Sequence, residues 1–293
     1  MNVKILSLSM IAGLAVAVAA MPLPAKEAPV PARTRIVTPD PAVQLKGLVH
    51  QFRVGDVTGL AQALIPPSKW EDARDAYDQA RQKPLDEKDR EHFAEQLERF
   101  TAPDAVDALM AELEPKLEQA RPQWPGMLML GMGAAQMAVA SPDADLDEAQ
   151  REALRRMLPG LQRWVGSTDF LDAVTLRQAL TLFADGVRRT GIRDLESLRQ
   201  LPLEGMLDRA GTLLVAGKDA LRLYGLDLDA VADSLNIEVL SGDGFNARVH
   251  ASVTLFGASV GTDLELVLID GRWYGASVVK TPDSPELALA ADR

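Results

Sequence analysis

The chain of 293 residues contains no cysteine. This absence excludes a disulfide scaffold and a lipid anchor attached to cysteine. Aromatic residues are also scarce, at 5% of the sequence, although hydrophobic residues as a whole make up 47%. The core of this protein must therefore consist mainly of Leu, Ala, Val and Met side chains.

Basic residues are in the minority. The sequence has 31 Lys and Arg against 42 Asp and Glu, which gives a formal net charge of -11 at pH 7. Such a surface repels nucleic-acid phosphates and anionic lipids. The pairs Arg155-Arg156 and Arg188-Arg189 lie among acidic residues at helical spacing, which is typical of solvated helix faces. We therefore expect no nucleic-acid partner.

The first 25 residues have the composition of a secretory signal peptide. Lys4 is their only charge, an apolar run extends from Ile5 to Ala20, and small residues allow cleavage after Ala20 or Ala25. We expect residues 1–25 to be removed and the mature protein to be a soluble periplasmic protein of a bacterium, without a transmembrane span. Residues 26–42 are rich in proline and predict an extended linker.

The rest of the chain predicts helices first and strands last. Residues 43–235 form a helical region, in which Leu176, Leu180 and Phe183 recur at steps of four and three. Residues 236–280 predict an antiparallel β meander of about four strands, because apolar and polar residues alternate there. We interpret residues 281–293 as a loose tail.

The predicted meander needs a cover for its apolar face. Asp270-Gly271 is a strong hairpin signal, and the last strand is predicted from Trp273 to Val279. A small sheet with one apolar face is not stable alone. We therefore predict an α+β fold, with a predominantly helical body packed on a short C-terminal sheet. Whether helices and sheet form one domain or two stays open.

Two segments resemble parts of the nuclear-transport-factor-two-like superfamily, which has a cystatin-like cone fold. Leu45 to Leu64 resembles its opening helix pair and reads LKGLVHQFRVGDVTGLAQAL. Asn236 to Val279 contains LELVLIDGRWYG and is similar to its last curved strands. Residues 68–235 are a long helical stretch that a compact member does not contain. The chain as a whole is similar to an uncharacterised family of exported proteobacterial proteins. The superfamily includes enzymes and non-catalytic binding or scaffold domains, so the fold does not fix the function. Its isomerase members have a pattern of pocket Asp and Tyr residues that finds no residue-by-residue match in this sequence, so the resemblance implies no catalytic residue.

Four methionines lie in the uncharged segment Trp124 to Ala140, WPGMLMLGMGAAQMAVA. Thioethers are copper ligands, but Met127 and Met132 point about 140° apart on a helix. The segment is 17 residues long, which is the lower limit for a membrane span. We instead predict a buried central helix whose methionines fill the core, with Gly131 and Gly133 permitting close helix contact.

Three residues are candidates for ligand binding, namely Arg248, His250 and Tyr274. The first two lie on the polar face of a predicted strand, and Tyr274 follows the hairpin turn. If this face lines a groove, the three side chains could contact an anionic or polar ligand. The alternative is a solvent-exposed sheet face.

The sequence assigns no catalytic residue, no metal site and no cofactor. It contains no GxSxG, SxxK, HExxH, CxxC or P-loop motif. Its histidines, His50, His92 and His250, lack the spacing of metal ligands. The acidic run at 143–147 is not a calcium loop, since the required Gly and Glu would fall at Glu148 and Leu154.

Three functions are compatible with these observations. The first is a non-catalytic interaction or scaffold module of the bacterial cell envelope with an envelope protein as partner, and the sequence favours it. The second is a carrier of a small hydrophobic ligand in a pocket between helices and sheet. The third is a cofactor-free isomerase or hydrolase, which requires a buried carboxyl group with a raised pKa.

Overall fold

The computed structural model describes residues 39–141 and 148–280. The predicted signal peptide, the predicted linker as far as residue 38, the acidic run at 143–147 and the predicted tail lie outside the described residues.

The described residues form twelve α-helices and four β-strands. The helices are α1 (Pro41–Val54), α2 (Val57–Leu64), α3 (Pro67–Ala80), α4 (Glu87–Thr101), α5 (Ala105–Ala120), α6 (Trp124–Ala140), α7 (Glu148–Ser167), α8 (Ala173–Arg189), α9 (Leu195–Gln200), α10 (Leu203–Leu223), α11 (Leu228–Asp233) and α12 (Ala276–Lys280). The strands are β1 (Asn236–Gly242), β2 (Asn246–Leu255), β3 (Ala258–Ile269) and β4 (Arg272–Gly275). The predicted α+β class, with helices packed on a C-terminal sheet, is confirmed.

Aspartate side chains begin six of these helices. Each accepts a hydrogen bond from a backbone N–H of the first turn, which has no partner inside the helix. The six residues are Asp40, Asp56, Asp86, Asp172, Asp194 and Asp227. Part of the acidic excess of this chain therefore serves to start helices.

The four strands form an antiparallel sheet in the order β1-β2-β3-β4. Two-residue turns connect its last three strands, and both residues of each turn have positive φ, as in type I′ turns. These angles are 49° at Asp270 and 78° at Gly271, and 52° at Phe256 and 77° at Gly257. The hairpin predicted at Asp270-Gly271 is confirmed.

The last strand is shorter than predicted. Its pairing with β3 ends where Gly275 lies opposite Leu266, and the residues from Ala276 onward form α12 instead of continuing to Val279. Val278 and Val279 favour a strand locally, but this preference is weak and yields to packing. The short helix packs on β3 and β4, and Ala276 is buried.

The apolar face of the sheet forms a core with α1. Ala247, Val249, Leu266 and Trp273 are buried together, and Leu45 of α1 packs against them. Helix α1 also contacts α2, α10 and α11, while α7 contacts β3. These contacts join the sheet to the helical body. Within residues 39–141 and 148–280, every helix is too short or too polar to cross a lipid bilayer.

Candidate functional site

Two of the three predicted ligand-binding residues share one carboxylate. An Arg248 guanidinium nitrogen lies 2.8 Å from Asp263 Oδ2, and His250 Nδ1 lies 2.7 Å from Asp263 Oδ1. These hydrogen bonds, first that of His250 and then that of Arg248, hold the pKa of Asp263 below its usual range. Asp263 is not among the residues predicted from the sequence, although the turn at Phe256-Gly257 sets the register that places it opposite His250.

Glycine at position 261 leaves the space that the His250 ring occupies. A Cβ atom on Gly261 would lie 2.6 Å from His250 Nε2 and 2.8 Å from the carbonyl oxygen of Ala251. The backbone under the imidazole must therefore lack a side chain. Arg248, His250 and Asp263 therefore form a hydrogen-bonded cluster on the polar face of the sheet. About two fifths of the His250 and Asp263 side chains are exposed.

Tyr274 shares this face but not this environment. It lies opposite Val267, which in turn lies opposite Asn246, so the tyrosine and Arg248 are on the same side of the sheet. However, Tyr274 is only 2% exposed, whereas the Arg248 side chain is 58% exposed. The structure thus brings Arg248 and His250 together around Asp263 and encloses Tyr274 separately. A ligand role for the three stays a prediction.

Lys218 is the one charged residue that is buried among the described residues, with 2% exposure. Its ammonium group donates to the carbonyl oxygens of Phe52 and Arg53, both at 2.8 Å, and to Asp229 Oδ1 at 2.6 Å. An ammonium group has three protons, so all are engaged. Lys218 therefore binds the C-terminal end of α1, where carbonyl groups lack helical partners, and is not available as a nucleophile.

The described residues do not provide the group that the enzyme hypothesis needs. Their buried residues include no Asp or Glu. Where a carboxyl pKa is shifted, it is lowered, as at Asp172 by the Thr175 hydroxyl and at Asp227 by the Arg222 guanidinium. Residues 39–141 and 148–280 also contain no group of three or more His, Asp or Glu that could hold a metal ion.

Two clefts open on the surface of the helical body. One of about 260 Å³ lies between α4 and α5 and is lined by Glu95, Glu98 and Glu112 among others. Another of about 450 Å³ lies between the start of α6 and the end of α7, against Trp124 and Val165. Neither is lined by a residue of the sheet, so neither is the pocket that the carrier hypothesis places between helices and sheet.

Helix α6 corrects a further prediction, that of a buried central helix. Among its residues only Val139 is buried. Met129 is 78% exposed, Leu130 75% and Met137 74%. The absence of charge predicted burial, because a helix that is apolar on every side is normally enclosed. In this structure the described residues cover one side of the helix and leave the other open.

The covered side of α6 packs on α7. Its half-buried or buried residues are Trp124, Leu128, Met132, Ala135 and Val139, which project within about 80° of one another on a helix. Gly133 is also half-buried but lies about 140° from the centre of this group. Trp124 contacts the ring of Phe170, with ring centroids 6.1 Å apart. Arg151 of α7 donates to the carbonyl oxygens of Val139 and Ser141 and so fixes the other end of the helix.

The open side of α6 carries a regular apolar stripe. Met127, Leu130, Ala134 and Met137 are all exposed and follow one another at steps of three, four and three. We call these four residues the α6 stripe. This spacing is that of the contact positions in paired helices. On a helix 17 residues long, such an open side covers on the order of 400 Å².

Comparisons of this chain with protein-family models, with curated proteins and with solved structures give no match.

Proposed function

We propose that this protein is an exported, non-catalytic interaction or scaffold module of the bacterial cell envelope, and that the α6 stripe is its contact surface. The supporting observation is the exposure of Leu130 and Met137, which are 75% and 74% accessible in a helix without a single charge. Contiguous apolar patches of about 300–600 Å² are the largest on ordinary monomers and often mark interaction sites.

The surroundings of the stripe favour a binding role over a structural one. The side of α6 that serves the fold is already occupied by α7, and Arg151 holds its C-terminal end. Leu130 and Met137 of the stripe are about three quarters exposed, so they add little to the packing of the described residues, yet their side chains are apolar. Burial of such a surface against a partner is favourable by about 25 cal/mol per Å² before the costs of association.

The proposed location rests on the sequence of residues 1–25. A single basic residue, an apolar run and a small residue at Ala20 or Ala25 are the parts of a cleavable export signal. The likeness of the first helices and last strands to the nuclear-transport-factor-two-like superfamily is likewise a proposal, and it carries no functional residue to this chain.

Site-specific photo-crosslinking in the cell that makes the protein tests this function. A photoreactive amino acid is placed at Leu130 and, as the matched control, at Val174 of α8, an exposed apolar position with 65% accessibility. We expect a discrete protein adduct from position 130 and none from position 174. No adduct from position 130, or the same adducts from both positions, would refute an interaction through α6.

A further inference from the structure

Three glycines of α6 have no role in the packing of the described residues. A Cβ atom added at Gly126, Gly131 or Gly133 would meet nothing within 4 Å. None of the three has a positive φ. Glycine inside a helix is less stable than alanine, so α6 carries three destabilising residues that the packing of residues 39–141 and 148–280 does not require.

Other helical glycines in the structure lie where a side chain would clash with a neighbouring element. A Cβ atom at Gly186 of α8 would lie 2.5 Å from the Ala216 side chain, and one at Gly211 of α10 would lie 2.0 Å from the carbonyl oxygen of Gly55. These positions allow close contact between elements. Open helical glycines also occur at Gly47, Gly166 and Gly217, but only one to a helix.

The small residues of α6 flank its stripe on both sides. Viewed down the helix, Gly126 and Gly133 lie about 60–80° to one side of the centre of the stripe, and Gly131 and Ala138 lie about 60–80° to the other. A second helix lying along the stripe would therefore meet large side chains in the middle and small residues at both edges. Small residues at these edges allow helix backbones to approach closely.

The stripe is also symmetric about its midpoint. Met127 and Met137 are equally far along the chain from residue 132, as are Leu130 and Ala134. If two copies of α6 lie antiparallel about a two-fold axis at this midpoint, Leu130 of each copy meets the small Ala134 of the other. The two-fold interface is then self-complementary, as isologous contacts must be.

We infer that the α6 stripe binds the α6 stripe of a second copy of this chain, antiparallel and about a two-fold axis. This inference rests on the proposed function and names its partner. The absence of charge in α6 means that the contact itself brings no like charges together, although each chain has a net charge of -11. Two such faces bury about 800 Å², less than the roughly 1,200 Å² of a standard stable interface, so the dimer is weak and depends on concentration.

A lipid surface fits the same helix less well. Helices that lie in a membrane interface carry Lys and Arg on their polar side, whereas α6 has no basic residue and its other side is covered by α7. Net negative charge also repels anionic lipids. The observations therefore favour a second protein helix over a bilayer.

Sedimentation of the purified mature protein tests the inference first. Between low micromolar and millimolar concentration, the wild type should shift from the mass of one chain towards that of two. Leu130→Glu should remain a monomer throughout, while Val174→Glu, at an exposed apolar position of α8, should dimerise as the wild type does. A wild type that stays monomeric over the whole range, or a Leu130→Glu variant that dimerises normally, would overturn the inference.

Disulfide trapping tests the direction of the pairing, and the absence of native cysteine leaves no background. Leu130→Cys and Ala134→Cys are prepared separately, mixed and mildly oxidised. The antiparallel arrangement predicts a crosslinked dimer containing one chain of each variant. Crosslinking mainly within Leu130→Cys alone would indicate a parallel pair and would overturn the proposed geometry, as would the absence of any crosslink under conditions where the wild type dimerises.

Substitution of the glycines tests the dimer contact separately from the stability of the monomer. Gly131→Ala and Gly133→Ala together should raise the melting temperature of the monomer, since alanine is the better helix former. The same variant should dimerise about tenfold more weakly, because two methyl groups from each copy enter the contact. Circular dichroism at low concentration and sedimentation at high concentration measure the two effects. Unchanged or tighter dimerisation of this variant would contradict the close approach.

The outcomes also distinguish this inference from the proposed function. If purified protein is monomeric but position 130 crosslinks to a different protein in the cell, the interaction role stands and the second copy is excluded. If purified protein is monomeric and position 130 gives no adduct in the cell, both proposals fail.

Discussion

The side-chain amide of Gln44 forms two hydrogen bonds with the backbone of Trp273. Its Nε2 donates to the Trp273 carbonyl oxygen at 2.6 Å, and its Oε1 accepts from the Trp273 N–H at 2.8 Å. Strand β4 is the edge of the sheet, and the amide takes the place of a further strand there. The indole N–H of the same tryptophan donates to the carbonyl oxygen of Pro39 at 2.6 Å. One glutamine thus fixes α1 to the edge of the sheet.

Replacing Gln44 with Ala should destabilise the protein clearly. Trp273 is 3% exposed, so its N–H and carbonyl would lose their partners in a buried place. Each buried group without a partner costs about 1–3 kcal/mol, and we expect the free energy of unfolding to fall by about 2–4 kcal/mol. Urea unfolding followed by circular dichroism measures this change. Gln62→Ala, at an exposed position of α2, is the control. Equal losses of unfolding free energy in the two variants would show that the paired hydrogen bonds do not stabilise the fold.

Replacing Lys218 with Met should also destabilise the protein. The methionine keeps the apolar stem but leaves the Arg53 carbonyl oxygen without its Lys218 donor and the Phe52 carbonyl oxygen with the Gly55 N–H alone. Removal of one partner from a buried ion pair costs about 3–5 kcal/mol. Because Arg222 still holds Asp229 at 2.7 Å, we expect about 2–4 kcal/mol in urea unfolding. Lys46→Met, on the exposed side of α1, should change stability by less than about 0.5 kcal/mol.

The carboxylate of Asp263 predicts a small dependence of stability on pH. Its pKa is lower in the folded chain, chiefly because His250 donates a hydrogen bond to it. A lowered folded-state pKa stabilises the protein above the unfolded-state pKa of about 3.9, and this stabilisation is lost as the pH falls through the folded-state pKa. The side chain is 38% exposed, so the contribution should stay below about 1 kcal/mol.

Comparison of the wild type with Asp263→Asn measures this contribution. We expect the wild type to be more stable than the variant at pH above about 4 and the difference to disappear in stronger acid. Asp75→Asn, at an exposed position of α3, should show a smaller difference over the same range. A stability gap that persists unchanged into acid would mean that the variant acts through packing and not through the ionised carboxylate.

Local patterns in the sequence were enough to predict the class of the fold. Alternation of apolar and polar residues in β2 is a property of neighbouring residues, and so is the preference of Asp270-Gly271 for a tight turn. The structure confirms both predictions. The predicted end of β4 is wrong, because Val278 and Val279 prefer strands while the contacts of α12 with the sheet decide their conformation.

The candidate site depended on information that periodicity does not contain. An uncharged helix must bury its surface against something, but the sequence does not say whether the cover belongs to the same chain. Met132 is half-buried, whereas Met129 and Met137 are exposed, although all three have the same side chain. Asp263 was missed for a different reason, since its pairing with His250 requires the register that the Phe256-Gly257 turn imposes.

Methionine oxidation by dilute peroxide should report both the exposure and the contact of α6. Met129 and Met137 are 78% and 74% exposed, whereas Met110 is 2% exposed. Exposed thioethers oxidise first, so peptide mass spectrometry should find sulfoxide at the first two positions well before it appears at Met110. Comparable rates at all three positions would contradict the open face of α6.

A rise in protein concentration should then slow the oxidation of only one of these two exposed methionines. Met137 belongs to the α6 stripe, while Met129 projects about 120° from the centre of that stripe. If two copies pair through their stripes, Met137 becomes protected as the concentration rises and Met129 does not. The oxidation rate of Met137 divided by that of Met129 should therefore fall with protein concentration in the wild type and stay constant in Leu130→Glu. A ratio that is constant in both would mean that the two methionines remain in water and that no second copy covers the stripe.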